Sequence, residues 1–232
     1  MSLRPIKRLS LSKPTLEGAG VRLRRAFGFD NTSDFDPFLL LDDFRNDVPE
    51  DYVAGFPWHP HRGIETITYV LAGTVEHGDS MGNSGVIGAG DVQWMTAGRG
   101  IIHQEMPKGD PTGRMHGFQL WANLPAALKM TAPRYQEVKS AEIPEVVDDD
   151  GTRARIVCGT FWGKTGPVQG IAADPIYLEC GSALLRRVGD FQETLRVLGG
   201  RVLVSHNPRP SQGTSRLERS DILIFCFLVI LQ

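Results

Sequence analysis

Apolar and polar residues alternate around turn signals along GVRLRRAFGFDNTSDFDPFLLLDDFRND, residues 20–47. That period-2 pattern gives a strand one inward and one outward face. The run IETITYVLAGTVEH, residues 64–77, is rich in β-branched and aromatic types, and Ala72-Gly73 within it is expected to form a hairpin turn. Glycine-bounded strands are expected through GDSMGNSGVIGAGDVQWMTAGRGIIHQE, residues 78–105, and another over RMHGFQLWANLP, residues 114–125, stopped by Pro125. Only PAALKM, residues 125–130, has helical character, and it is short. Strands and turns at this spacing predict a β-sandwich or barrel rather than βαβ units.

Residues 133–159, PRYQEVKSAEIPEVVDDDGTRARIVCG, read as a connector whose acidic turn, Asp148 to Gly151, leads into a second β unit. Its later part, LRVLGGRVLVSHNPRPSQGTSRLERSDILIF, repeats the outline of the first half without the paired histidines, so the repeat is architectural. The apolar run DILIFCFLVILQ, residues 221–232, is shorter than the ~20 residues that a membrane-spanning helix needs. It is expected to be a buried terminal strand.

Composition narrows the function classes. The chain has 232 residues, 41% hydrophobic and 22% charged, which is enough for one large or two small globular domains. With 25 basic against 27 acidic residues, it offers no electrostatic reason to bind nucleic acid directly. Three scattered cysteines, Cys158, Cys180 and Cys226, make no disulfide framework and no zinc-knuckle pair. A reducing compartment fits. The N-terminus carries basic residues without the apolar stretch of a secretory signal, so a cytoplasmic protein without a membrane anchor is expected.

Candidate chemistry concentrates in two short stretches. In WHPHRGIE, residues 58–65, His59 and His61 flank Pro60; in GIIHQEMP, residues 100–107, His103 and Glu105 stand at the same spacing. Alternate residues of a strand share a face, and Pro60 favours an extended neighbour. Two such pairs, converging inside one barrel, would bring three imidazoles and a carboxylate together. That donor set suits a first-row divalent ion such as iron, nickel, copper or zinc.

The run GFPWHPHRGIETITYVLAGTVEHGDSMGNSGVIGAGDVQWMTAGRGIIHQEMP closely resembles the signature region of the pirins, a family of the cupin superfamily. HxHxxxE followed by Gly73 looks like the first cupin motif, and Gly90, Gly98 and His103 look like the second. The resemblance continues through HGFQLWANLP and YQEVKSAEIPEV and weakens beyond about Leu178. It implies an all-β bicupin of two β-barrel or jelly-roll units, with the second degenerate or truncated. The first, residues 1–130, would hold the metal; the cupin-like second, residues 131–232, is atypical after about 178. The metal implied is Fe(II), with Ni, Cu, Mn or Zn as alternatives, held by His59, His61, His103 and Glu105. The implied activity is opening of a flavonol ring by O2 in the manner of quercetin 2,3-dioxygenase, with Glu105 also serving as the base. The alternative implied role is a metal- and redox-sensing transcriptional co-regulator acting through a transcription-factor partner, nuclear in a eukaryote.

Other residues carry plainer expectations. Glu65, where many cupins place a carboxylate ligand, is expected to make a structural hydrogen bond or to contact a ligand histidine. His77 should be solvated at a hairpin end and His206 should lie in a loop. His116 either lines the pocket or sits satisfied in the core. Phe56, Trp58 and Trp94 are candidates for a flat aromatic wall. Arg22, Arg24 and Arg25 read as a solvated strand edge.

Overall fold

In the computed structural model the described residues are 8–10, 12–30, 32–149, 151, 153–180, 195–198, 201–205 and 226–231. They form two compact units. One comprises Ser12–Glu142 with Gly170–Ala173, and the other holds the remaining described residues. The N-terminal strand β1 (Arg8–Ser10) belongs to the latter.

The unit built on Ser12–Glu142 contains β2 (Lys13–Glu17), β3 (Val21–Phe27), β4 (Phe38–Asp43), β5 (Phe56–His61), β6 (Ile64–Ala72) and β7 (Thr74–Asp79). It continues with β8 (Ser84–Ile87), β9 (Val92–Thr96), β10 (Ile101–Lys108), β11 (His116–Asn123) and β12 (Arg134–Val138). These make two antiparallel sheets, a seven-stranded one in the order β12-β9-β6-β11-β4-β3-β2 and a four-stranded one in the order β5-β10-β7-β8. The helical character expected after Pro125 is a single 3-10 turn, Ala126–Leu128. Part of the expected connector is a strand of this unit, since β12 pairs with β9.

The core lies between the two sheets. Val21, Leu23 and Val70 from the larger sheet pack with Val75 and Ile87 from the smaller, together with Phe44, Tyr52 and Met115. Each aliphatic side chain of this kind contributes roughly 1.5–3 kcal/mol when fully buried. The alternation is clearest in β10, where Ile101, His103, Glu105 and Pro107 point inward and Ile102 is exposed.

The expected hairpin at Ala72-Gly73 is instead a corner between sheets. Strand β6 pairs with β9 and β11, whereas β7 pairs with β8 and β10. Gly73 turns the chain at φ 76°, and a Cβ there would lie 2.5 Å from the Lys108 carbonyl oxygen. Only glycine fits so tight a left-handed corner. The local pattern of strand, glycine, strand is the same for a hairpin and a corner; the pairing partners, distant in sequence, decide between them.

The other unit contains β13 (Glu145–Val147), β14 (Arg153–Cys158), β15 (Thr160–Phe161), β16 (Lys164–Thr165) and β17 (Pro175–Cys180). Beyond these lie β18 (Leu195–Leu198), β19 (Arg201–Ser205) and β20 (Cys226–Leu231). Among the described residues it forms a seven-stranded antiparallel sheet, β1-β18-β19-β20-β17-β14-β13, and a two-stranded one, β15-β16. Ala154, Ile156, Leu178 and Cys180 form its buried cluster. The terminal apolar run contains a strand, as expected; its side chains lie outside the described residues, as does His206. No helix among the described residues is long and apolar enough to cross a membrane.

Candidate metal centre

Strands β5 and β10 run side by side, with His59 opposite His103 and His61 opposite Ile101. His59 and His61 turn to the same side because exposed Pro60 takes the other. The register then slips, so that Glu105 faces Phe56 and two residues of β5, Pro57 and Trp58, stand against one of β10. Pro57 has no N–H to give the ladder, which is where a bulge is tolerated. The bulge has a use: the Pro57 carbonyl oxygen accepts a hydrogen bond from His59 Nδ1 at 2.8 Å. A carbonyl can only accept, so Nδ1 carries the proton and the lone pair of neutral His59 sits on Nε2.

The ring centroids of His59, His61 and His103 are 4.4 to 5.0 Å apart. One donor nitrogen from each lies within 4.8 Å of the others, and Nε2 of His59 is 3.1 Å from Nε2 of His61. Both ring nitrogens of His103 are buried without a hydrogen-bond partner in the protein. Burying such groups unsatisfied is costly, and a common cation would take up the lone pair of one of them. Burial, followed by the neighbouring imidazoles His103 and His59, lowers the pKa of His61 to about 4. Burial, followed by His59 and His77, lowers that of His103 to about 3. Both are neutral at pH 7 with lone pairs ready. By donor type, number and protonation, the cluster fits a divalent metal.

Glu105 lies outside the 4.8 Å group but lines the same cavity, and its charge works against the lowering of the His61 pKa. Its Oε1 accepts a 2.9 Å hydrogen bond from Thr68 Oγ1. The cavity encloses about 490 Å³, and its aromatic lining includes Phe29, Phe44, Phe56, Trp58 and Trp121. Trp121 stands edge-on to His61 with ring centroids 4.9 Å apart.

Several expectations are corrected. Trp94 is fully buried in the core and does not line the cavity; Trp121 does. Arg25 is not a solvated edge: it lines the cavity, forks onto Asp42 at 2.8 and 2.7 Å and reaches Glu17 at 2.9 Å. Arg22 is exposed as expected, paired at the surface with Asp51, and half-buried Arg24 donates to Ser12. His77 is buried rather than solvated, because it shares the inward face of β7 with Val75; its Nε2 lies 2.7 Å from Glu137 Oε1. Glu65 makes the structural hydrogen bond expected, accepting from Thr96 Oγ1 at 2.7 Å. It sits on the face of β6 opposite to Thr68 and takes no part in the cavity. His116 packs against Phe118 away from the cavity, and burial lowers its pKa to about 4.

These depressed values fix the sign of a pH effect. Between about pH 4 and 6.5, His61, His103 and His116 bind protons when unfolded but not when folded. The metal-free protein should therefore lose stability as pH falls through that window and change little from these groups above it. Thermal melting of metal-free protein from pH 4 to 8 measures this, and a melting temperature flat below pH 6.5 would contradict it.

The pirin family model matches residues 20–122, a span that contains all three histidines and Glu105. A pirin-like protein of Caulobacter vibrioides is 48% identical over 227 residues, covering 95% of this chain and 82% of the relative. The crystal structure of quercetin 2,3-dioxygenase from Acinetobacter baumannii superposes with a TM-score of 0.69 at 25% identity, covering 99% of this chain and 83% of that one. A bacterial pirin from Escherichia coli, solved in complex with nickel(II), is similar at a TM-score of 0.54 and 27% identity, over 75% of this chain and 71% of that one. With a matching family model and near-full-length identity of this order, the chain belongs to the pirin family of cupin proteins.

Proposed function

We propose that the protein is a metal-dependent dioxygenase that opens flavonols in the manner of quercetin 2,3-dioxygenase, with Fe(II) held by His59, His61, His103 and Glu105. The observation that carries this reading is the convergence of three imidazoles, His59, His61 and His103, the first two of which line an aromatic-walled cavity. A similar fold named for that activity and a pirin holding nickel(II) support it. Nickel, copper, manganese or zinc would also suit the donors.

A bound divalent ion supplies Lewis acidity toward a hydroxyl and carbonyl pair and, as iron, a redox partner for O2. The residues supply the rest. His59, with Nδ1–H tied to the Pro57 carbonyl, presents Nε2 in a fixed direction. Phe56, Trp58 and Trp121 offer flat walls for a planar aromatic ring. The cavity falls in the ~300–1,000 Å³ range usual for small-molecule sites. With Oε1 held by Thr68, Glu105 has Oε2 for both tasks: ligation and, once released from it, acceptance of the proton of the substrate hydroxyl. Arg25, Asp42 and Glu17 place polar partners for ring hydroxyls in the same wall. The ring then opens with uptake of O2 and release of carbon monoxide.

The test is anaerobic reconstitution with Fe(II), then addition of quercetin and O2 with O2 uptake and carbon monoxide followed together. Coupled consumption and release, lost in His61→Ala, is the expected result. Metal retained without turnover across a panel of flavonols would overturn the dioxygenase reading and favour a redox-sensing co-regulator that works through a protein partner.

A further inference from the structure

We infer that Thr68 and Gln119 are positioning residues for Glu105, forming a hydrogen-bond chain that sets which oxygen of its carboxylate is free to serve a metal. The inference rests on the reading of Glu105 as a ligand. Thr68 lies on β6 and Gln119 directly opposite on β11, a cross-strand pair on the cavity-facing side of the large sheet. Both reach toward Glu105, which comes from the facing sheet. Thr68 Oγ1 is 2.9 Å from Glu105 Oε1 and 2.6 Å from Gln119 Oε1, both of them acceptors as placed.

A hydroxyl has one proton to give. A carboxylate that ligates a metal is ionised and can only accept, so the Thr68 proton goes to Glu105 Oε1. Thr68 Oγ1 must then accept from Gln119, which requires the Gln119 amide to be turned over so that NH2 takes the place of Oε1, an orientation decided by the hydrogen-bond network rather than by the shape of the side chain. The chain thus runs one way, Gln119 to Thr68 to Glu105. Thr68 is buried and β-branched, which limits its rotamers and makes it a stiff support. With one lone pair of Oε1 held by Thr68, Oε2 is the less encumbered oxygen, and Glu105 would ligate through it.

Nickel(II) titration of metal-free full-length protein by calorimetry at neutral pH tests this without reference to turnover. Thr68→Val keeps the shape and removes the hydroxyl; it is expected to weaken nickel(II) binding by about 10- to 100-fold, the usual effect of removing a support behind a metal ligand. Thr68→Ser should restore most of the affinity, which a packing role would not allow, because serine lacks the methyl group. Gln119→Leu should weaken binding in the same direction and serves if Thr68→Val does not fold. Unchanged affinity in Thr68→Val and Gln119→Leu beside a marked loss in Glu105→Gln would overturn the inference, as would a Thr68→Ser protein no better than Thr68→Val. Unchanged affinity in Glu105→Gln itself would remove Glu105 from the ligand set and take the inference with it.

Discussion

Replacing His103 by leucine is expected to stabilise the metal-free protein while sharply reducing its gain in stability on adding metal. Both ring nitrogens of His103 are buried, and the protein offers them no hydrogen-bond partner. A buried polar group left unpaired costs about 1–3 kcal/mol, and leucine of similar bulk removes that cost. For a chain of this size each kcal/mol corresponds to roughly 2–4 °C in melting temperature. The same change removes one of three convergent nitrogens. If a four-ligand site is worth about 10–16 kcal/mol, one ligand carries roughly a quarter of that, so affinity should fall by about 10²-fold or more. Paired melts with and without Fe(II) or nickel(II) read both effects at once. A variant that melts lower than wild type without metal, yet still rises with it, would show that His103 is a structural histidine.

The second large effect is expected from Gly98→Ala, in the turn that delivers β10. Gly98 has φ 52°, and a Cβ there would lie 2.2 Å from the backbone oxygen of Thr131. The obstacle is main chain and cannot swing aside. That segment is pinned on both sides: Gly63 N–H donates to the Gly98 carbonyl at 2.7 Å, and Arg99 N–H donates to the Thr131 carbonyl at 2.8 Å. Left-handed strain of about 1–2 kcal/mol adds to about 1–3 kcal/mol for overpacking, a loss of roughly 2–5 kcal/mol. Melting temperature should fall by roughly 4–20 °C. Because His103 follows within the next strand, metal affinity should fall as well. The control is Gly82→Ala, where φ is 90° but nothing lies within 4 Å of the added carbon. That variant carries the backbone strain alone and should lose about half as much or less; equal losses in the two would mean that the contact with Thr131 is relieved elsewhere.

Much of the centre could be read directly because a strand imposes a simple parity. His59 with His61, and His103 with Glu105, each stand two residues apart, so an extended backbone puts each pair on one face whatever surrounds it. The same parity separates Glu65 from Thr68 on β6 and explains why the carboxylate in the first motif turns away from the cavity. It also held the clue to His77, whose register with Val75 points it inward; the nearby glycine and acidic residues suggested a solvated turn, and burial by the facing sheet prevailed.

The sequence by itself determined the all-β class, the two paired motifs and the glycines that turn the chain between them, since these follow from local geometry and side-chain chemistry. Tertiary structure decided what parity cannot express, namely which strand lies beside which. Pairing across distant segments turned the expected hairpin at Gly73 into a corner between sheets, drew Arg25 from a surface edge onto Asp42, and put Trp121 rather than Trp94 beside His61. It also set Thr68 and Gln119 behind Glu105. A residue's period along its own strand selects a face; only the strands packed against that face supply its partners.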